Sequence, residues 1–158
     1  MTQLIDFIRE SNKIEGILRE PTSEEIQAHA LFVETEKLQV KDLIDLVSVL
    51  QPDARLRDNM SVPGVRVGNH IAPPSSPEIR EQLKYILERA DKNWTSRMYY
   101  NRGDANEIWR IHCDYETLHP FTDGNGRSGR ALWLWCMGGQ APLGFLHQFY
   151  YQTLSAYR

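Results

Sequence analysis

The stretch HPFTDGNGRSGR, residues 119–130, decides how the whole chain is read. Its first half is a loop, because Pro120 disfavours the helical conformation in His119 before it. Its second half opens a helix at Gly124, Asn125 and Gly126, where unpaired backbone N–H groups and the positive end of the helix dipole face outward together. The two glycines let an anion come close to the backbone. Arg127 and Arg130, three apart on that helix, can both serve one extended anion. These are the elements of a polyphosphate cradle, reached without the Walker spacing, which the chain lacks. Asp123, just ahead, is a hard oxygen ligand suited to a magnesium ion that keeps waters and phosphate oxygens in its shell. His119 is the one side chain here of a type that exchanges a proton near neutral pH, so it can take a proton from an attacking hydroxyl. Taken singly, Gly-Asn-Gly reads as a turn, an arginine pair as a solvated face, and a histidine before proline as a loop residue. The conjunction is what carries chemistry.

Working outward, Ile108, Ile111, Tyr115 and Leu118 predict a helix that starts near Asp104 and ends around His119 and Pro120. The helix opened by Asn125 runs to about Met137 and stops at Gly138 and Gly139. Upstream, a helix starts at Ser76 with Pro77 in its first position, and Ile79, Leu83, Ile86 and Leu87 supply its buried face. The segment SVPGVRVGNHIAPP reads as a short hairpin over residues 62–69, followed by an extended exit through Pro73 and Pro74. Leu43, Ile44, Leu46, Val47 and Leu50 mark a further helix, stopped before Pro52. Before it, Thr22 or Ser23 caps a helix with Glu24 and Glu25 at its positive end and Ile26, Ala30, Val33 and Lys37 near one face. Leu4, Ile5, Phe7, Ile8, Ile14, Ile17 and Leu18 predict an amphipathic N-terminal helix with Gly16 as its terminator. A last helix is expected over residues 145–157. The fold expected is all-α, one mostly helical domain over residues 1–158 with a single small β-hairpin.

Composition narrows the function classes. At 158 residues, 41% apolar and 25% charged, the chain has the material for one packed core and is not compositionally disordered. A net charge of −3 gives no electrostatic reason to expect nucleic acid or an anionic membrane surface as partner. The longest strongly apolar run, residues 131–137, is far too short to span a bilayer, and the start MTQLIDFIRESNK does not read as a secretion signal. Cys113 and Cys136, without CxxC spacing, suggest neither a disulfide framework nor a zinc site, so a reducing cytoplasm is the expected setting.

The loop resembles the signature of the Fic (filamentation induced by cyclic AMP) family, HxFx(D/E)GNGRxxR, with His119, Phe121, Asp123, Gly124, Asn125, Gly126, Arg127 and Arg130 all in place. The resemblance implies a Fic-type helical bundle that transfers AMP from ATP to a Ser, Thr or Tyr hydroxyl of a protein. It makes His119 the general base, packs Phe121 inward, and gives Asp123 the magnesium ion. Gly124, Asn125 and Gly126 become the anion hole for the α-phosphate, and Arg127 and Arg130 the clamp on the outer phosphates. His112, seven residues before His119, reads as a structural, buried hydrogen-bonding partner. The hairpin, with Val62, Gly64, Val65, Arg66 and Val67, resembles the flap against which a target segment docks by strand addition. Phe149, Tyr150, Tyr151 and Leu154 resemble the aromatic patch ending many Fic cores, and read as core. Relatives that phosphorylate carry a bulkier basic residue in place of Gly126, which disfavours that activity here.

Residues 11–16, SNKIEG, resemble the family's inhibitory motif (S/T)xxxE(G/N), with Ser11, Glu15 and Gly16 matching. The resemblance makes residues 4–16 an inhibitory helix in which Glu15 pairs with Arg130 and occupies the place of the γ-phosphate. A self-inhibited AMP transferase is thus the leading expectation. The alternatives are an enzyme that removes AMP, with Glu15 orienting water, and a catalytically quiet binding module. The intact signature argues against the last. The partners expected are ATP and a protein substrate, with a homo-oligomer left open. No separate targeting domain is expected after the Fic core.

Overall fold

The last described helix ends in ALWLWC, residues 131–136, six consecutive apolar positions that leave its second half no face for solvent, and such a segment has to be surrounded. In the computed structural model, which describes residues 2–140, it is. This helix, α6 (Asn125–Cys136), touches each of the other five helices of the described region. These are α1 (Thr2–Ile14), α2 (Ser23–Glu34), α3 (Val40–Leu50), α4 (Pro77–Tyr100) and α5 (Ala105–Leu118). A two-stranded antiparallel hairpin, β1 (Arg66–Val67) and β2 (His70–Ile71), lies between α3 and α4 in sequence, with Arg66 opposite Ile71 and Val67 opposite His70. The architecture is all-α with one small hairpin, as expected. No helix among the described residues is long and apolar enough to cross a membrane. Cys113 and Cys136 are both buried and free.

Local signals account for most boundaries. Thr22 is the cap of α2: its hydroxyl accepts from Glu25 N–H, and the Glu25 carboxylate accepts from Thr22 N–H. Pro77 opens α4, and Asp104 caps α5 through Asn106 N–H. Ile79, Leu83, Ile86 and Leu87 of α4 are buried, as are Ile108, Ile111, Tyr115 and Leu118 of α5.

Four expectations need correction. The N-terminal helix ends at Ile14, so Ile17 and Leu18 lie beyond it, and Leu18 is 80% exposed. Gly16, at φ +77°, turns the chain back so that Ile17 N–H closes on Asn12 O. On α2 the fully buried residues are Glu25, His29 and Phe32, one position off the face drawn through Ile26, Ala30 and Val33. Two of those three are polar, which an apolar-periodicity reading passes over. The hairpin is centred on Gly68 and Asn69, so residues 62–69 covers only its first arm and turn. Val62 is buried in the body of the protein, and Pro63 has no N–H for a ladder, so Val62 and Gly64 lie outside the strands. Finally, α6 ends at Cys136, one residue short of Met137. The helix expected over residues 145–157 and the aromatic group Phe149, Tyr150, Tyr151 and Leu154 lie outside the described residues.

Candidate active site

Pro120 and Gly124 bracket a loop that cannot be helical, and the structure straps that loop to the chain after α3. Leu56 and Phe121 form an antiparallel bridge, Arg57 N–H donates to Pro120 O at 2.8 Å, and Thr122 N–H donates to Arg55 O at 2.9 Å. Phe121 is buried, as expected, and the Asn125 side chain spans it, accepting from Phe121 N–H and donating to Phe121 O, both at 2.8 Å. The amide of Asn125 is therefore committed to the loop, and what it offers an anion is its backbone N–H. The N–H of Gly124 is likewise engaged, by Asp123 Oδ1 at 2.7 Å. An anion at the mouth of α6 meets the N–H groups of Asn125 and Gly126 and the dipole behind them.

His119 ends α5 in the left-handed conformation, φ 51° and ψ 63°. Its Nδ1 lies 3.1 Å from Glu116 O. A carbonyl only accepts, so Nδ1 carries the proton and Nε2 is the basic nitrogen. His119, Asp123, Gly126 and Arg130 line one cavity of about 560 Å³, closed on one side by Val65, Arg66 and Val67 and on another by Glu15. The hairpin edge, the candidate base and the anion-binding helix end thus share one space. His112 is buried, with Nδ1 2.9 Å from Gly129 O and its ring packed on Trp109 and Trp133, outside that cavity.

The two arginines have different surroundings. Arg130 is fully buried; Nε donates to Ser11 Oγ at 2.8 Å, and Nη2 to Ser11 O at 3.0 Å and to Glu15 Oε1 at 2.8 Å. A Cβ on Gly126 would run into the Glu15 carboxylate, so glycine here is what lets Glu15 sit over the mouth of α6. Arg127 turns inward: Nη2 donates to Leu50 O at 2.7 Å, and Nη1 lies 3.5 Å from Asn12 Oδ1 and 3.9 Å from Glu25 Oε1. Burial lowers the Arg127 pKa. Only its remaining N–H groups are available to a phosphate. Sequence reasoning missed Asn12 and Glu25, which join α1 and α2 beneath Arg127. Burial works against the Glu25 charge, yet hydrogen bonds from Arg19, Thr22 N–H and Asn12 hold its carboxyl below the usual range. The sequence reading placed Glu25 only at the positive end of the α2 dipole; its second duty has no linear signal.

Among the described residues no group of three or more His, Cys, Asp or Glu could hold a metal. Asp123 is one exposed carboxylate, oriented by a backbone N–H at the helix mouth. That fits a magnesium ion arriving with nucleotide phosphates rather than a site made wholly of protein ligands.

The sequence model of the Fic/DOC family matches residues 32–137, more than half of the chain. The chain belongs to the Fic/DOC family. The match takes in the hairpin, the loop from His119 to Gly124 and α6, which supply most of the cavity lining, and supports a nucleotidyl-transfer type of enzyme. Helix α1 and Glu15 precede the Fic match, so their role rests on the geometry just described.

Proposed function

We propose that this Fic protein transfers AMP from ATP to a Ser, Thr or Tyr hydroxyl of a protein and is restrained by Glu15. The observation that carries the reading is the single cavity shared by His119, the N-terminus of α6 and the hairpin edge. The acceptor segment lies along Arg66 and Val67 as an added strand. His119 Nε2 takes the hydroxyl proton as the oxygen attacks the α-phosphorus, and the bond to the β-phosphate breaks to release pyrophosphate. The N–H groups of Asn125 and Gly126 stabilise charge on the α-phosphate, and Arg130 serves the outer phosphates. Magnesium, held by Asp123 and the phosphates, would neutralise charge on the phosphate chain. The protein's share is mainly positioning and charge stabilisation.

The restraint is competition. The Glu15 carboxylate holds Arg130 and covers the helix mouth, so the outer phosphates and Glu15 seek the same cation. A second reading, removal of AMP by water oriented on Glu15, is favoured by Glu15 lining the same cavity as His119. A cytoplasmic setting suits two free cysteines. Incubation of the wild type and Glu15→Gly with α-labelled ATP and magnesium tests the proposal. Label should enter protein, and faster in the variant; no label in either would remove the transferase reading.

A further inference from the structure

The geometry points to Arg57 as the residue that positions His119 and joins the catalytic turn to the exit of the hairpin, an inference that rests on the transferase reading above. Arg57 is fully buried, an unusual place for a guanidinium. No carboxylate among the described residues pairs with it. Its partners are main-chain carbonyls from two separate segments and one hydroxyl. Nε donates to His119 O at 2.8 Å and Nη2 to Leu118 O at 2.8 Å; Nη1 donates to Pro73 O at 2.7 Å and Ser75 Oγ at 3.3 Å. Its backbone repeats the pattern: Arg57 N–H donates to Pro120 O, and Arg57 O accepts from Ser76 N–H.

The carbonyls ending a helix have no partner within it, and the negative end of the dipole lies there. Arg57 supplies both donors and charge to the end of α5, where His119 takes a left-handed conformation that a non-glycine residue adopts only when held. The same fork reaches Pro73 and Ser75, just past β2, while His70 Nε2 lies 2.9 Å from Thr117 O. The base and the docking edge are therefore fixed to one another as well as to the core. Lysine is not equivalent, because its single ammonium cannot hold carbonyls on two segments in a planar fork. Burial of this charge without a carboxylate is costly and lowers its pKa, so its retention is explained by the four groups it binds. None of those groups belongs to the anion cradle on α6.

Arg57→Lys and Arg57→Gln, made in the Glu15→Gly background, separate positioning from binding. Affinity for a non-hydrolysable ATP analogue should stay within about threefold, while single-turnover self-labelling falls about tenfold to a hundredfold, the scale of a misplaced catalytic group. The imidazole resonances of His119 should move in both variants. Unchanged labelling with unchanged His119 resonances would overturn the assignment. Should the Glu15→Gly parent label nothing, the transferase reading fails separately, and the His119 resonances still decide the matter: shifted supports Arg57, coincident overturns it. The unmutated chain offers a measurement free of any folding defect. The Nη protons of Arg57 should be separately resolved and slow to exchange, since rotation breaks bonds to both segments. A single averaged, fast-exchanging signal would overturn the staple.

Discussion

His119 shows how much a single residue owes to its neighbours. Its ring is turned by the left-handed end of α5, its tautomer by Glu116 O, and its loop by the strap from residues 55–57. Replacing only the side chain should leave that frame standing. His119→Ala is expected to lower transfer by ~10²–10⁴-fold, the usual worth of a general base, with ATP-analogue affinity retained. Single-turnover labelling beside calorimetry checks this, and wild-type turnover would remove His119 as the base. Asp123→Ala should act on a different variable. With one protein carboxylate proposed for the ion, the magnesium concentration at half-maximal labelling should rise steeply. An unchanged midpoint would take Asp123 out of the metal's surroundings.

At the scale of elements, α1 is held to the core by charge and hydrogen bonds as well as by Phe7 and Ile8. Ser11 and Glu15 bind Arg130, and Asn12 binds Glu25 of α2. Glu15→Gly should raise ATP-analogue affinity about tenfold or more, from loss of one charge-assisted contact of ~1.5–3 kcal/mol. Arg130→Ala should show no such gain, because it removes the phosphate clamp together with the restraint. Calorimetry on the three proteins decides, and equal affinity for wild type and Glu15→Gly would reduce Glu15 to a surface residue. Much of this arrangement was legible in the sequence. Thr22, Pro77 and Asp104 announce their helices through cap chemistry, and the loop residues announce theirs through glycine, proline and charge. What was not legible depends on long-range partners. Nothing near Arg127 in sequence says that Leu50 O will take its guanidinium, and no periodicity marks Glu25 and His29 as the buried face of α2. The hairpin was displaced because alternating valines suggested pairing from Val62, whereas packing drew Val62 inward.

Across the whole molecule the polar residues beneath α6 make stability depend on acid. His29 is buried on α2 with Nδ1 2.7 Å from Glu25 O, and its Nε2 has no hydrogen-bond partner among the described residues. Burial, reinforced by the charges of Arg127 and Arg130, pushes its pKa from 6.5 down to about 4. In the unfolded chain His29 binds a proton below about pH 6.5, while in the folded protein it stays neutral until about pH 4. Between these values the unfolded state holds more protons, so folding stability falls as pH falls, and levels off below the lower value. The full shift corresponds to about 3 kcal/mol. Glu25 acts in a lower window. Its carboxyl sits below the usual range, so its contribution is present at neutral pH and is lost as pH drops through its lowered folded-state pKa. His29→Asn keeps a donor near Glu25 O and removes the titration. Denaturant unfolding at pH 7.5, 6, 5 and 4.5 should show the wild type losing stability steadily across that range and the variant losing distinctly less. Parallel losses in the two proteins would mean that His29 is not the group whose protonation opposes the fold.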